Sequence, residues 1–286
     1  MRKKMRVIVA ESSGFCLGVE RAVEIAAMAL SSNRRVWADG PLIHNKHVVE
    51  ELRRNGLDMS PEGPRSGDAV LVRAHGIPSS ARAAFQAGGH DIIDATCPHV
   101  AQNQALVAES LAAGRTIVMA GDPDHAETAA ALGDSNPRRH IVTSASDVAG
   151  LDMPEDTPLL LLAQTTFNAA SFDAIAQALS ARFPLVEVRK TICRETARRQ
   201  DEARTLADTV EAMVVVGDRH SANTRRLAEV CGSAGIPVFA VETAAEIDVA
   251  EFGVVSVVGV VAGASTPGVI IDDVAALLRS LPGAKA

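Results

Sequence analysis

The sequence contains no tyrosine and a single tryptophan, and aromatic residues make up only 3% of its 286 residues. The interior must therefore be built from Val, Leu, Ile and Ala, a composition that suits buried parallel β-strands. The hydrophobic fraction of 47% is large enough to fill a sizeable core. No apolar run reaches membrane-spanning length, so we expect no membrane partner.

Basic residues are too few for a general nucleic-acid binder, because the formal net charge is -7. Cysteine is also scarce, and its pattern offers no even disulfide framework, which suits a reducing cytoplasm. The basic start at residues 1–6 imitates a signal peptide. However, the apolar stretch 7–10 is too short for one and Glu11 ends it at once. We therefore expect a first β-strand here and a cytoplasmic protein.

Three of the four cysteines divide the chain into thirds. Cys16, Cys97 and Cys193 each stand where an apolar strand gives way to a helix. Their spacings of roughly 80 and 95 residues are too wide for a local metal knot, and three is an odd number for disulfides. Three lobes meeting at a shared centre are therefore predicted, and three thiolates there suit a soft metal or an iron–sulfur cluster. Cys231 lies inside a later helix and is predicted to be an inert thiol.

One strand–loop–helix unit recurs six times along the chain. The predicted helices run, in order, over 48–55, 79–87, an Ala-rich stretch after residue 127, 170–183, 223–232 and 269–281. This alternation predicts parallel sheets covered by helices. The six units pair into three lobes, at 17–97, 98–193 and 194–281, and the last lobe takes back the N-terminal strand within 1–16.

Hydrogen-bond donors recur in the loops that follow the strands: His44, His75 and His125, with Ser221, Asn223 and Ser265 in the last lobe. Imidazoles, hydroxyls and an amide beside helix N-termini make a good site for a diphosphate. The loops lack the glycine patterns of a P-loop and of a dinucleotide fold, so no ATP or NAD site is predicted.

A second group of loop residues can move a proton. Glu127 lies two residues beyond His125, and Thr165 lies in the loop of the partner unit. A carboxyl group, a histidine and a hydroxyl together predict a proton relay, whose protonation state would be tuned by enclosure. The pairs Arg198–Arg199 and Arg225–Arg226 are predicted to lie on solvated helix faces.

Nine short motifs occur in a fixed order: GFCxGV at 14–19, IHN at 43–45, HG at 75–76, DATCP at 94–98, HxE at 125–127, QTT at 164–166, TIC at 191–193, SxNTRRL at 221–227 and AGASTP at 262–267. Together they resemble the 4-hydroxy-3-methylbut-2-enyl diphosphate reductase family, which completes the methylerythritol phosphate route to isoprenoids. The resemblance runs from residue 7 to about residue 281, nearly the whole chain.

The resemblance implies a trefoil of three similar α/β lobes, with mostly parallel sheets, around a central 4Fe–4S cluster. It implies that Cys16, Cys97 and Cys193 hold this cluster and that the fourth, open iron takes the substrate's hydroxyl oxygen. It assigns diphosphate binding to His44, His75, Ser221, Asn223 and Ser265. His125 carries over as a substrate-pocket residue, Glu127 as the proton source and Thr165 as its neighbour in the relay.

The implied reaction is the reductive dehydroxylation of (E)-4-hydroxy-3-methylbut-2-enyl diphosphate to isopentenyl and dimethylallyl diphosphates. No flavin or nicotinamide signature is present, so electrons are expected from an external carrier such as ferredoxin or flavodoxin. Several positions depart from the family's commonest pattern: Asp122, Ala126, Arg194, Glu195, His220 and Gly268. Two alternatives stay open. One is a divergent paralogue that uses the cluster for non-redox dehydration or on another phosphorylated alcohol. The other is a non-catalytic iron–sulfur or phosphometabolite sensor.

Overall fold

The computed structural model describes residues 4–32, 34–133 and 136–283. Three parts of the predicted lobes lie outside the described residues: 1–3 in the returning N-terminal segment, residue 33 in the first lobe, and 134–135 in the second. The last residues of the polar tail, 284–286, lie outside them as well.

The strands form three separate four-stranded sheets, and every strand pairing within them is parallel. The sheet orders are β1-β12-β10-β11, β3-β2-β4-β5 and β7-β6-β8-β9. The strands are β1 (Arg6–Val9), β2 (Val36–Ala38), β3 (Leu57–Asp58), β4 (Ala69–Val72), β5 (Ile92–Asp94), β6 (Thr116–Ala120), β7 (Arg139–Val142), β8 (Leu159–Ala163), β9 (Val186–Val188), β10 (Ala212–Val216), β11 (Val238–Val241) and β12 (Val257–Ala262). The structure thus confirms the predicted α/β class with three parallel-sheet lobes.

Most consecutive strands are connected through an α-helix, the usual connection between parallel strands. The helices are α1 (Leu17–Ser31), α2 (Lys46–Arg54), α3 (Ser79–Ala87), α4 (Pro98–Ala112), α5 (Ala126–Leu132), α6 (Ala169–Arg182), α7 (Arg194–Ala207), α8 (Ala222–Gly232) and α9 (Gly268–Ser280). Short 3₁₀ turns cover Ala145–Gly150, Ala244–Glu246 and Val249–Phe252. The predicted helix 79–87 has the observed bounds. The other helices for which both ends were predicted begin and end within two residues of the observed positions.

The inner strands carry the core. All residues of β4, β6, β8 and β10 are buried, and those strands consist almost entirely of Val, Leu, Ile, Ala and Met. A strand that is buried on both faces has apolar residues at successive positions, so these strands show no alternation of apolar and polar residues in the sequence. The aliphatic composition therefore supplies the interior, with phenylalanines such as Phe167 and Phe172 adding bulk in one cluster.

The N-terminal strand joins the sheet formed by the last strands of the chain. β1 pairs with β12 in parallel, with Val7 opposite Val258, and β12 in turn pairs with β10. An isolated antiparallel bridge between Lys4 and Pro282 extends this association to the C-terminal end of the described chain.

The chain divides into two compact units. The first unit contains Met1–Leu17, His44–Val48 and Arg194–Ala286, and it holds the sheet β1-β12-β10-β11. The second unit contains Gly18–Ile43 and Val49–Cys193, and it holds the other two sheets. The three-lobe boundaries at residues 97 and 193 stay a prediction. Within the described ranges, no helix has both the length and the apolar character needed to cross a membrane.

Candidate functional site

Each of the three widely spaced cysteines directly precedes a long helix. Cys16 is followed by α1, Cys97 is the N-cap of α4, and Cys193 is followed by α7. The free N–H groups of a helix N-terminus carry partial positive charge, which favours a thiolate placed there. All three side chains are partly exposed. Each of these cysteines therefore lies between a strand and a helix, as predicted from the sequence.

The three cysteines also share one backbone contact. Each N–H donates to a carbonyl in a loop that follows an inner strand: Cys16 to Ala264 (3.1 Å), Cys97 to Ala74 (2.9 Å) and Cys193 to Thr165 (2.9 Å). Each acceptor is itself a predicted site residue or the residue directly before one, since His75 follows Ala74 and Ser265 follows Ala264. The junction that positions a thiol therefore also fixes a polar loop.

The donor chemistry at these junctions fits an iron–sulfur cofactor. None of the four cysteines forms a disulfide, and all four lie in the described part of the chain. Thiolates at helix N-termini are the soft, anionic ligands that such cofactors need. Cys231 differs, because it is fully buried in an apolar cluster where burial raises the pKa of its thiol to about 11. That environment disfavours a thiolate ligand, as predicted for an inert position.

In the first unit, Ser221 and Asn223 occupy the start of α8. The Ser221 hydroxyl caps the helix by accepting the N–H of Thr224 at 3.4 Å. Asn223 is only 4% exposed, and neither side-chain atom has a hydrogen-bond partner among the described residues. Buried amides are nearly always paired, so this one points to a polar ligand.

A glycine at the end of β10 lets α8 approach closely. Gly217 has a φ of 153°, and a Cβ there would lie 2.5 Å from the Thr224 hydroxyl oxygen. Any other residue would push the helix N-terminus away from the strand ends. The position of Ser221 and Asn223 thus depends on a residue without a side chain.

His44 is held in the same unit through its backbone. The Ser265 hydroxyl donates to the His44 carbonyl oxygen at 2.8 Å. One carboxylate joins this segment to the start of α8: Asp218 accepts the Lys46 N–H at one oxygen (3.2 Å) and the His220 N–H at the other (2.8 Å). Sequence reasoning missed Asp218, although an acid directly after the glycine that ends an inner strand was a usable signal.

In the second unit, the rings of His75 and His125 meet edge to face, with centroids 5.4 Å apart. His125 is the N-cap of α5, and its Nδ1 accepts the N–H of Glu127 at 3.2 Å. A neutral His125 therefore carries its proton on Nε2.

The Glu127 carboxyl group is 1% exposed and held by Thr165. The Thr165 N–H donates to Oε1 at 2.8 Å, and its hydroxyl donates to Oε2 at 2.7 Å. Burial raises the pKa of Glu127 to about 7, although hydrogen bonds from Thr165 and Asn103 act to lower it. The predicted association of Glu127, His125 and Thr165 is therefore present, and its carboxyl group is poised to titrate near neutral pH.

Asn103 is a further residue of this group that sequence reasoning missed. Its Nδ2 donates to the Ala163 carbonyl at 3.0 Å and to Glu127 Oε1 at 3.5 Å, from a position that is 1% exposed. The available signal was an amide between Val100 and Val107, on the buried face of α4.

The prediction of a solvated face for Arg198 and Arg199 is wrong for the second residue. Arg198 is exposed, but Arg199 is only 3% exposed and donates to the Ala262 carbonyl. Successive residues on a helix point about 100° apart, so an adjacent pair cannot share one environment at the border of a buried face.

Comparison with known proteins gives the family. A family model described as LytB protein matches residues 7–279. The 4-hydroxy-3-methylbut-2-enyl diphosphate reductase of Solidesulfovibrio magneticus is 38% identical over 285 residues, which cover 96% of this chain and 100% of that protein. The protein of the same name from Oleidesulfovibrio alaskensis is 38% identical over 281 residues, covering 97% and 100% of the two chains.

Solved structures agree with these sequence matches. The structure of (E)-4-hydroxy-3-methyl-but-2-enyl diphosphate reductase, the terminal enzyme of the non-mevalonate pathway, is 33% identical, with a TM-score of 0.69. The match covers 97% of this chain and 100% of that one. The Plasmodium falciparum E-1-hydroxy-2-methyl-but-2-enyl-4-diphosphate reductase shares the fold with a TM-score of 0.91 at 24% identity, covering 99% and 93%. From the cysteine junctions, the loop residues and these matches over nearly its whole length, the chain belongs to the LytB family.

Proposed function

We propose that this protein reduces (E)-4-hydroxy-3-methylbut-2-enyl diphosphate to isopentenyl and dimethylallyl diphosphates. The reaction breaks the allylic C–O bond, releases the oxygen as water and consumes two electrons and two protons. Family membership and the reductase names of the relatives support this assignment. The observation that carries it is the buried Glu127 carboxyl group with its two Thr165 contacts, because a sensor that only binds a ligand needs no enclosed proton donor.

Membership of this family implies an iron–sulfur cofactor. In our proposal it is one 4Fe–4S cluster, ligated by Cys16, Cys97 and Cys193, with one iron left without a protein ligand. When bound, such a cluster supplies single electrons and a Lewis-acidic iron. The helix N-termini behind the three thiols support this ligand set, and the buried, apolar surroundings of Cys231 explain why it takes no part.

The substrate's diphosphate is bound by His44, His75, Ser221, Asn223 and Ser265. Asn223 offers an amide that has no partner within the described ranges, and the free N–H groups at the start of α8 favour negative charge. The Ser265 hydroxyl and Asp218 fix the backbone around His44 and Ser221 and so hold the anion-binding groups in place.

Glu127 supplies the proton that the leaving oxygen needs. With a pKa near 7, an appreciable fraction of the carboxyl group is protonated at neutral pH, whereas an ordinary glutamate would be almost fully ionised. Thr165 orients both carboxyl oxygens, and His125 contacts the backbone of Glu127. A positioned donor of this kind contributes roughly 10²–10⁴-fold to rate.

Electrons come from an external one-electron carrier, such as ferredoxin or flavodoxin, in a reducing cytoplasm that keeps the thiols available for ligation. The carrier and the compartment rest on the cysteine chemistry and on the absence of a flavin or nicotinamide motif from the sequence.

Turnover under anaerobic conditions tests the proposal. The reconstituted protein is incubated with the diphosphate substrate, with and without dithionite and a viologen mediator, and the products are separated by chromatography. We expect isopentenyl and dimethylallyl diphosphates only when reductant is present. Consumption of the substrate without reductant, with loss of water to a more unsaturated diphosphate, would identify a dehydratase. Binding without turnover would identify a sensor, and either result contradicts the proposal.

A further inference from the structure

Arg199 is a buried cation in the first unit, on the second turn of α7. Its side chain is 3% exposed, and within residues 4–32, 34–133 and 136–283 no carboxylate forms an ion pair with it. Its Nη1 donates to the Ala262 carbonyl oxygen at 3.3 Å, and its Nε has no hydrogen-bond partner in the same ranges. A buried charge without a counter-charge is energetically costly. Because no described carboxylate pairs with Arg199, we expect its counter-charge to be a different anion.

The acidic residues near Arg199 on α7 already have partners. Glu195 contacts Arg198 at 3.5 Å. The two carboxyl oxygens of Glu202 accept backbone N–H groups of residues 11–12, at 2.6 and 2.9 Å. Neither acid therefore neutralises the Arg199 guanidinium by direct contact.

One strand end connects Arg199 with Cys16. The guanidinium donates to the carbonyl of Ala262, the last residue of β12, and the Cys16 N–H donates to the carbonyl of Ala264 two residues later. Burial lowers the pKa of Arg199 from its ordinary value, and the Cys16 thiolate is the strongest influence that opposes this shift. Arginine remains protonated under all ordinary conditions, so it acts here as a permanent positive charge.

We propose that Arg199 is the counter-charge of the iron–sulfur cofactor on its Cys16 side and raises the reduction potential of that cofactor. The inference rests on the proposed function, because it requires a cluster ligated by Cys16. A fixed positive charge stabilises the more negative, reduced state, and net charge near the sulfurs is one of the factors that set such potentials. Arg199 is a positioning residue in this role, since it acts through the Cys16 ligand and does not touch the substrate.

A purely structural role makes different predictions. If Arg199 served only to pack α7 against β12, its replacement would lower stability equally with and without the cluster. In our proposal the unpaired charge is a liability in the cluster-free protein. Arg199→Gln should therefore leave the cluster-free protein as stable as the wild type, or make it more stable, while changing the electrochemistry of the loaded protein.

The test is a redox titration of the cluster-loaded protein, followed by electron paramagnetic resonance. Wild type is compared with Arg199→Gln, with the charge-conserving Arg199→Lys, and with Arg198→Gln, which removes an exposed charge one residue away. We expect the reduction equilibrium of Arg199→Gln to shift at least about tenfold toward the oxidised state, or about 59 mV for one electron. Arg199→Lys should recover most of the shift, and Arg198→Gln should match the wild type.

An unchanged potential in a fully loaded Arg199→Gln protein would overturn the inference. If that variant does not bind the cluster, thermal unfolding of the cluster-free protein distinguishes a role in cofactor binding from a structural role. Wild-type stability without the cluster means that the residue serves the cofactor, whereas general destabilisation means a structural role and rejects the proposal. A wild-type protein that holds no cluster would contradict the proposed function itself.

Discussion

Thr165 holds both carboxyl oxygens of Glu127, one through its backbone N–H (2.8 Å) and one through its hydroxyl (2.7 Å). The two residues are 38 positions apart in sequence: Thr165 lies in the loop after β8, and Glu127 lies in the first turn of α5, which follows β6. This contact fixes the orientation of a carboxyl group that is almost completely shielded from water. A protonated carboxyl held in one orientation is the arrangement that a general acid requires.

The buried carboxyl group makes stability depend on pH. The pKa of Glu127 is about 7 in the folded protein and 4.5 in an unperturbed glutamate, so the folded state binds an extra proton between these values. The free energy of unfolding should therefore fall as the pH rises from 4.5 through 7, by about 3 kcal/mol from this group. Urea unfolding at pH 5 and pH 8, at fixed cluster content, measures the effect. Glu127→Gln should remove it, and an equal pH dependence in the two proteins would count against the buried acid.

Asn103 also influences the protonation of Glu127, because its amide donates to Oε1. Asn103→Leu keeps the approximate volume but removes a hydrogen bond that favours the ionised carboxyl, so the pKa of Glu127 should rise further. We expect the alkaline limb of the rate–pH profile to move to higher pH and stability to fall by about 1 kcal/mol. Ser110→Ala, on the same buried face of α4, is the matched control and should leave the profile unchanged. A profile that stays fixed in Asn103→Leu would show that the amide is only a packing residue.

Structural features that depend only on neighbouring residues could be predicted from the sequence. The helix at 79–87 follows a run of apolar residues and a Gly-Ile-Pro turn, so its bounds could be predicted without tertiary information. The strand-to-helix setting of Cys16, Cys97 and Cys193 is likewise local, because the apolar stretch and the helix start lie beside each cysteine.

Contacts between distant segments could not be predicted in the same way. Asn103 reaches Ala163 across 60 residues, and nothing near either residue specifies that pairing. The sequence predicts a solvated face for Arg199, yet the buried face of α7 includes it together with Thr196, Gln200 and Ala203. A polar helix gives little periodic signal, so tertiary packing alone decides which arginine is enclosed.

The three junction cysteines should be required for the cofactor, and Cys231 should not. Cys16→Ser, Cys97→Ser or Cys193→Ser replaces a soft thiolate by a hard hydroxyl and should strip or destabilise the cluster. Iron and sulfide analysis of anaerobically purified protein, with a visible spectrum, measures this. Cys231→Ser is the control and should retain full iron content. Full iron in the Cys97→Ser protein would exclude our ligand set.

Asp218 should control substrate affinity more than turnover. Asp218→Ala removes the acceptor that joins the Lys46 and His220 N–H groups, so the segments of His44 and Ser221 should lose their fixed positions. We expect KM to rise about tenfold, with kcat near the wild-type value and the cluster intact. Asp201→Ala, an exposed acid on α7, serves as the control. A variant with normal KM and reduced kcat would place Asp218 in the chemistry rather than in binding.

Glu127→Gln tests the central claim most directly. Glutamine is nearly isosteric and can still contact Thr165, but it has no acidic proton to give. Its single-turnover rate is measured with an excess of chemical reductant, so that electron delivery is not limiting, and with cluster content and substrate affinity verified in the same preparation. We expect the cluster and the affinity to be retained and the rate to fall at least about 100-fold. A rate close to that of the wild type would contradict the account, because the proton would then have to come from another group.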